Sequence, residues 1–598
     1  MLCRRILPVL FAAAAFAAPP DGAALYKARC AMCHDASPAQ PRTPTHADLA
    51  SRTPDTIVKA MFEGIMVPQS SGLNPDEGRA IATFLTGKEI ATAPATIMAG
   101  QCPAPPKPLV TGKNDWNGWG NGLENTRFQP KPGFTTADIP KLKLKWAFAF
   151  PGETMANAQP VTVGGRVFIG TSRGVVYSLD AATGCWYWTY NANASVRNAV
   201  SIGKVGSRTM VFFGDAKAFT HAIDADTGAP IWKVKIEDFQ QAKVTGSVVF
   251  YNGRVYVPIA DLEEPSAMSA GYECCKYRGS ITSLDAATGK TIWKSYTIAE
   301  EAKPYKKGST GTQLYGPAGA SVWSAPTIDT KRKLVYAATG NSFTSVEIPT
   351  SDAVIAFDLE TGKLAWTRQV DTGDNFTMAC GAGRSGPNCP DPAGPDTDFG
   401  TSPALVTVAG KQMLVVGQKS GVLWGLDPDD KGEVLWHAQV GKGGPLGGIE
   451  WGHAVDGTIA YAPISDRFQK DAKGLISGVD LKTGRILWTT DTPDTGCKPG
   501  TPGCQTAISA AVSAIPGAVF AGAVDGHMRA YDSKTGAIVW DYDANHAFDT
   551  VNKVPGKGGS FDAPGPVIVN GMLLTASGYS MWGGAGGNVL LAFSVDGK

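Results

Sequence analysis

The spacing of apolar residues changes twice along the chain. Residues 6 to 16 form an unbroken apolar run behind Arg4 and Arg5. From Ala23 to Leu85 apolar positions recur at helical intervals. They predict a helix over Ala23–Ala31 and another from a cap at Asn74 to Leu85, with Glu77 at the capping-box position. Beyond residue 110 the chain becomes short runs rich in Val, Ile and Tyr, broken by Asp, Thr and Gly, which predicts strands joined by tight turns.

These runs repeat. The unit is a small residue, any residue, Asp, three residues, Gly, three residues, Trp, and it occurs in seven copies. SLDAATGCWYW ends at Trp188; the others end at Trp232, Trp293, Trp366, Trp436, Trp488 and Trp540, the Trp436 copy with one extra residue. In each, a strand reaches Asp, Asp and Thr favour a turn, Gly supplies positive φ, and Trp opens the next strand. A Trp lying flat between neighbouring sheets can dock on the turn of the next unit, so these tryptophans are core residues. Four-stranded units of this size are β-propeller blades. NVLLAF at the C-terminus resembles the strand before each Asp turn, and LKLKWAF, with Trp146, the strand after it. Their pairing would close the ring at eight blades. The expected fold is mainly β, an eight-bladed propeller preceded by a small all-α domain.

CAMCH at Cys30 to His34 fits covalent attachment of c-type haem, with thioethers to Cys30 and Cys33 and His34 as an axial ligand. A zinc site would need further Cys or His at matching spacing, which His46 alone does not supply. Met66, close to Pro68, is the expected sixth ligand; Met61 is the rival, but its helical pattern suits the core. His/Met ligation raises the potential and suits electron transfer. The expected organisation is a signal peptide over 1–18, a cytochrome c domain over 19–90, a Pro-rich linker over 91–110 and the propeller over 111–598.

Composition narrows the setting. The formal net charge is +1 with no basic stripe, which argues against a nucleic-acid partner. Ala15-Phe16-Ala17 is a small-x-small cleavage site, and no later stretch is apolar enough for stable membrane insertion, so a soluble periplasmic protein is expected. Of 11 cysteines, Cys3 leaves with the leader and the haem takes two. The even remainder suggests disulfides in an oxidising compartment. Cys380/Cys389 and Cys497/Cys504 are close in sequence, and Cys102/Cys185 then pairs by elimination, with Cys274 and Cys275 adjacent.

From Asn114 onward the repeats resemble the quinoprotein alcohol dehydrogenases, whose eight-bladed propellers bind pyrroloquinoline quinone (PQQ) and Ca²⁺. The resemblance is closest to the polyvinyl-alcohol dehydrogenase branch. It is carried by NDWNGWGNGLENTRFQ, GPAGASVWSAPTID, ATGNSFTSVEIPTSDAVIAFD, GPDTDFGTSPAL, VGQKSGVLWGLDPD and GGPLGGIEWGHAVDG, and by a haem domain that precedes the propeller. It implies that Trp323 stacks on the quinone, Asn341 ligates Ca²⁺, Asp398 is the catalytic base and Lys419 meets the quinone oxygens. It further implies that Arg197 pairs with a PQQ carboxylate, that Thr245 and Trp451 line the pocket, and that the Cys274–Cys275 pair covers one quinone face. The calcium-ligating Glu is left open between Glu263 and Glu264, with Glu273 nearer the matching Arg-Gly step; Asp396 is the natural competitor of Asp398.

The function this implies is oxidation of alcohols, secondary or polymeric, with electrons leaving through haem to an external cytochrome c or similar acceptor. Two other readings share parts of the pattern. A cytochrome cd1 nitrite reductase also joins haem c to an eight-bladed propeller, but the Asp-Gly-Trp turns and the vicinal cysteines argue against it. A non-catalytic Trp-docking scaffold has no need of haem, Lys419 or the Cys pair.

Overall fold

The computed structural model describes residues 20–35, 43–62, 66, 70, 73, 75–88, 98–381, 385–469, 473–496 and 500–598. The expected leader, Pro68, Asn74 and Cys497 lie outside the described residues. Contacts divide the chain into two compact units, Met1–Val58 with Pro75–Ala91, and Lys59–Asn74 with Thr92–Lys598.

The smaller unit is helical. Helix Gly22–Arg29 leads into the short helix Ala31–His34 and packs against Pro75–Thr86. A side chain at Gly22 would stand 2.1 Å from the Ala80 carbonyl oxygen, so the close crossing requires glycine there. Tyr26 packs its ring against His46 at 5.0 Å and Phe84 at 5.5 Å. His34 is buried, and its Nδ1 lies 2.7 Å from the Pro44 carbonyl oxygen. Donation by Nδ1 leaves Nε2 for iron, the arrangement that fixes an axial histidine. In the stretch 59–74, which contacts assign to the larger unit, Met66 is half-buried, with its N–H bonded to the Ala60 carbonyl at 3.0 Å, while Met61 is buried.

The larger unit contains eight four-stranded antiparallel sheets. Blade 1 starts at Val161, blade 2 at Ser201, blade 3 at Val249, blade 4 at Thr327, blade 5 at Ala404, blade 6 at Ala454, blade 7 at Ser513 and blade 8 at Val567. The first seven take four successive strands each. Blade 8 takes Val567–Val569, Met572–Ser577 and Val589–Val595, and its outer strand is Leu142–Ala149 from the start of the unit. Leu142 pairs with Val595 and Ala149 with Val589, so the two ends of the propeller close it as the sequence implied.

The turn chemistry repeats around the ring. In blade 1 Asp180 Oδ1 accepts from the Thr183 N–H at 2.9 Å and hydroxyl at 2.8 Å, and Asp224/Thr227, Asp285/Thr288, Asp358/Thr361, Asp480/Thr483 and Asp532/Thr535 do the same. Each motif Trp then reaches the next blade. Trp188 Nε1 donates to Ala225 O at 3.2 Å, Trp436 Nε1 to Leu481 O at 2.8 Å, and Trp540 Nε1 to Leu142 O at 3.2 Å across the closure.

The segment 116–128 crosses the inner strands. Trp116 bridges Thr162 in blade 1, Asn117 bonds Ile202 in blade 2, and backbone bonds join Leu123, Glu124 and Thr126 to Ile328, Leu405 and Val455 in blades 4, 5 and 6. Arg127, fully buried, donates to Val512 O, Trp119 O, Gln159 Oε1 and Ser513 Oγ. Residues 98–110 are also tied down: Cys102 is disulfide-bonded to Cys185, and the Leu109 N–H meets Asp226 at 2.8 Å. Cys274–Cys275 and Cys380–Cys389 are further disulfides, and Cys504 is disulfide-bonded. No described helix is long and apolar enough to cross a membrane.

Candidate active site

In an antiparallel blade the beginning of the first strand and the end of the second lie at the same end of the sheet. Arg197, Thr245, Trp323, Asp398 and Trp451 immediately precede first strands; Asn341, Lys419 and Glu264 immediately follow second strands. Residues scattered over blades 2 to 6 therefore converge at one end of the propeller.

At the centre of this group is Asp398. Its Oδ1 accepts from the Asn341 N–H at 2.7 Å, its Oδ2 accepts from the Trp323 indole N–H at 3.2 Å, and Lys419 Nζ lies 3.7 Å from Oδ2. Gly340 permits this approach, since a side chain there would meet the Asp398 carboxylate at 2.9 Å. Asn341 Nδ2 donates to the Ser342 and Phe376 carbonyls, each at 2.8 Å, which leaves its Oδ1 as the atom for a cation. Lys419 Nζ donates to Asp396 Oδ1 at 2.5 Å. Burial opposes charge on Lys419, but Asp396, Asp398 and Glu264 more than offset it and hold the ammonium charged. Burial pushes the Asp396 carboxyl up to about 7 despite Lys419, with Asp398 adding to the rise. Burial, Asp396 and Asp398 likewise raise Glu264.

Beside this group is a cavity of about 610 Å³, bordered by Arg197, Glu264, Asp396, Lys419, Trp451 and Arg467. A narrower recess joins Arg197, Thr245, Trp323 and Trp451. The Trp323 and Trp451 rings meet edge to face at 5.0 Å, and the Arg197 guanidinium lies 4.5 Å from the Trp451 centroid.

Three expected residues, Glu263, Cys274 and Cys275, have different surroundings. The Glu263 carboxylate is fully buried and engaged by the Tyr272 hydroxyl at 2.7 Å and the Lys276 and Tyr277 N–H groups at 2.9 and 2.7 Å. It staples the 272–277 loop with its lone pairs taken by these donors, and Glu264 borders the cavity instead. The Cys274–Cys275 disulfide forms, but both residues are buried in a hydrophobic cluster with Ile259, Tyr277 and Phe343 and do not line the cavity. The same loop that Glu263 staples carries them into the core.

The sequence reading missed Glu450, Arg467 and Asp562. Arg467 Nη1 pairs with Asp562 Oδ2 at 2.8 Å, both buried, and burial with Asp562 pushes the Glu450 carboxyl up to about 8. Arg467 follows the second strand of blade 6, and Glu450 and Asp562 precede first strands, the same offsets as the residues above. Aligning the blades on their docking motifs would have drawn attention to them.

The sequence profile described as "Glucose/ethanol/alcohol dehydrogenase, beta-propeller domain" matches residues 116–378, one for "Outer membrane protein assembly factor BamB" matches 419–594, and one for "Cytochrome C oxidase, cbb3-type, subunit III" matches 17–85. A polyvinylalcohol dehydrogenase of Pseudomonas sp. is 42% identical over 97% of this chain and 94% of its own length. The chain belongs to the polyvinylalcohol dehydrogenase family. A second family member, from Sphingopyxis sp. strain 113P3, is 40% identical over 97% of this chain and 93% of its own. The solved quinohaemoprotein alcohol dehydrogenase of Comamonas testosteroni superposes with a TM-score of 0.60 at 17% identity, covering 81% of each chain, which shows the common fold. As a member of this family the chain is a PQQ-dependent alcohol dehydrogenase that passes electrons through haem c. The scaffold-type match to the last blades reflects the docking repeat that both propellers share.

The residues present fit the cofactors of this family. Arg197 Nη2, Thr245 Oγ1 and Ser324 Oγ are buried at the recess without a hydrogen-bond partner, which suits a flat, polycarboxylated quinone against Trp323. Asn341 Oδ1 and the carboxylates of Asp398 and Glu264 are hard oxygen donors suited to Ca²⁺. Among the described residues no three His, Cys, Asp or Glu side chains close into a metal cage, and Asn341 with Glu264 would hold the cation.

Proposed function

We propose that this enzyme oxidises secondary hydroxyl groups, including those carried on a carbon-chain polymer, and that Asp398 is the general base. The observation that carries the reading is the Asp398 carboxylate, fixed between the Asn341 N–H and the Trp323 indole beside a charged lysine. The substrate class rests on the names of the 42% and 40% identical relatives.

When bound, PQQ accepts hydride from the carbinol carbon, and Ca²⁺ acts on its carbonyl as a Lewis acid. The protein's own groups do the rest. Asn341 and Glu264 would hold the cation, and Trp323 would support the quinone plane. Lys419 and Arg197 would meet anionic oxygens in a partly desolvated recess, where charge-assisted hydrogen bonds are strongest. Asp398, held at both oxygens, is oriented to take the hydroxyl proton. Asp396, whose Oδ1 accepts from Lys419 at 2.5 Å and which borders the cavity, is the competing candidate. Cys30 and Cys33 would carry haem, with His34 and Met66 as axial ligands, and an external cytochrome-like acceptor would take the electrons. Export to the periplasm is supported by the leader pattern and by disulfides, which need an oxidising compartment.

The test compares Asp398→Asn with Asp396→Asn in enzyme reconstituted with PQQ and Ca²⁺, on short secondary alcohols and on polyvinyl alcohol. Asp398→Asn should still bind PQQ while kcat falls by about 10²–10⁴. Full activity in Asp398→Asn with loss in Asp396→Asn would transfer the base to Asp396. Turnover of primary alcohols alone would refute the substrate class.

A further inference from the structure

The mouth of the cavity is built from side chains that proton and hydride transfer do not use. Phe468 borders it while remaining 69% exposed, and Pro445, Leu446, Met581 and Trp582 border it too. Phe468 and Trp582 have φ of 65° and 53°, a left-handed conformation that bulky residues adopt only when their surroundings impose it.

Those surroundings centre on one buried guanidinium. Arg467 donates to the Trp582 carbonyl oxygen, to Asp562 at 2.8 Å and to Gln505 at 3.0 Å, and its guanidinium carbon lies 5.8 Å from the Phe468 ring centroid. The Arg467 N–H and the Ser465 hydroxyl both bond the Leu446 carbonyl at 2.9 Å. Asp466 accepts from the Gly443 and Gly448 N–H groups at 2.9 and 2.8 Å, fixing the glycine-rich loop that carries Leu446. A short segment, 465–468, thus positions three apolar walls from different loops. A phenylalanine held out in solvent by a buried ion pair is a built feature of a binding mouth.

The cavity is therefore amphipathic, with an apolar rim around charged groups at Glu264, Asp396 and Lys419. A short alcohol needs only the polar part. A longer molecule can lay its carbon chain along the rim while one hydroxyl reaches the polar groups.

We propose that Phe468, Trp582 and Leu446 form a cradle for the carbon chain flanking the reacting carbinol, and so set the enzyme's preference for long over short secondary alcohols. This rests on the assignment of the cavity as the alcohol-oxidising site and not on the polymer as substrate.

The experiment measures kcat and KM of the PQQ/Ca²⁺-loaded holoenzyme on 2-propanol, 2-butanol, 2-hexanol and 2-octanol and on polyvinyl alcohol. It uses wild type, Phe468→Ala, Trp582→Ala and the conservative Phe468→Leu. In wild type kcat/KM should rise by about two- to fourfold per methylene, the effect of burying each CH₂. In both alanine variants the 2-octanol to 2-propanol ratio of kcat/KM should fall at least tenfold, through KM, and Phe468→Leu should recover most of it. A wild-type series flat in chain length, or alanine variants that keep the wild-type ratio, would overturn the cradle. If wild type ignores polyvinyl alcohol yet shows the rising series and the variants lose it, the polymer reading fails and the cradle stands.

Discussion

Glu263 and Glu264 are neighbours with opposite surroundings. Burial pushes Glu263 up to about 7, yet four donor contacts satisfy it inside the protein, whereas Glu264 borders the cavity among other carboxylates. Glu263→Gln turns an amide N–H₂ against backbone N–H groups and should cost about 1–3 kcal/mol of stability, read as a lower Tm of the apoprotein. Glu264→Gln should leave that Tm nearly unchanged and raise the Ca²⁺ concentration for half-maximal activity at least tenfold. The reverse pattern would return the metal to Glu263. The sequence could not separate the two, because adjacency along the chain says nothing about which carboxylate a folded loop turns inward. Trp323, Asn341, Asp398 and Lys419 could be nominated from the sequence because each falls in a distinctive motif, and the fold brings them together near strand ends. For the Cys274–Cys275 pair the motif gives the disulfide but not the face of the loop it occupies.

The docking glycines show how an element is specified locally and enforced by its neighbour. Gly484 has φ of 71°, and a side chain there would come within 2.9 Å of the Trp436 ring of the preceding blade. Gly457 has φ of 93° but nothing within 4 Å of that position. Both alanine variants meet backbone strain of about 1 kcal/mol or more. Only Gly484→Ala also pushes into a packed indole, which typically adds 1–3 kcal/mol. Chemical denaturation should therefore show Gly484→Ala the more destabilised by about 1–3 kcal/mol; equal losses would mean that strain alone explains the conserved spacing of the motif. The strand-turn-strand pattern, the docking Trp and the closing strand were all readable, since each is a local signal repeated at intervals. The crossing of 116–128 beneath six blades was not, because its partners, such as Ser513 for Arg127, are hundreds of residues away.

At the scale of the molecule, one chain carries a two-electron centre and a one-electron centre in separate stretches of its sequence. The double variant Cys30→Ala/Cys33→Ala should lack haem staining in denaturing gels. It should still oxidise alcohols with an artificial acceptor that takes electrons directly from PQQ, within about twofold of wild type, while losing reduction of an external cytochrome. Cytochrome reduction that survives would remove haem c from the electron path. The sequence by itself determined the cytochrome domain, the number and order of the blades and the way the ring closes, because covalent motifs and nearest-neighbour packing are written in short stretches of chain. Only the tertiary structure decided which of two glutamates borders the cavity, that the vicinal disulfide lies in the core, and that Arg467 and Phe468 border the same cavity as Asp396 and Lys419. Those facts depend on which way a loop turns between strand ends, and that is set by hydrogen bonds and burial among residues far apart in sequence.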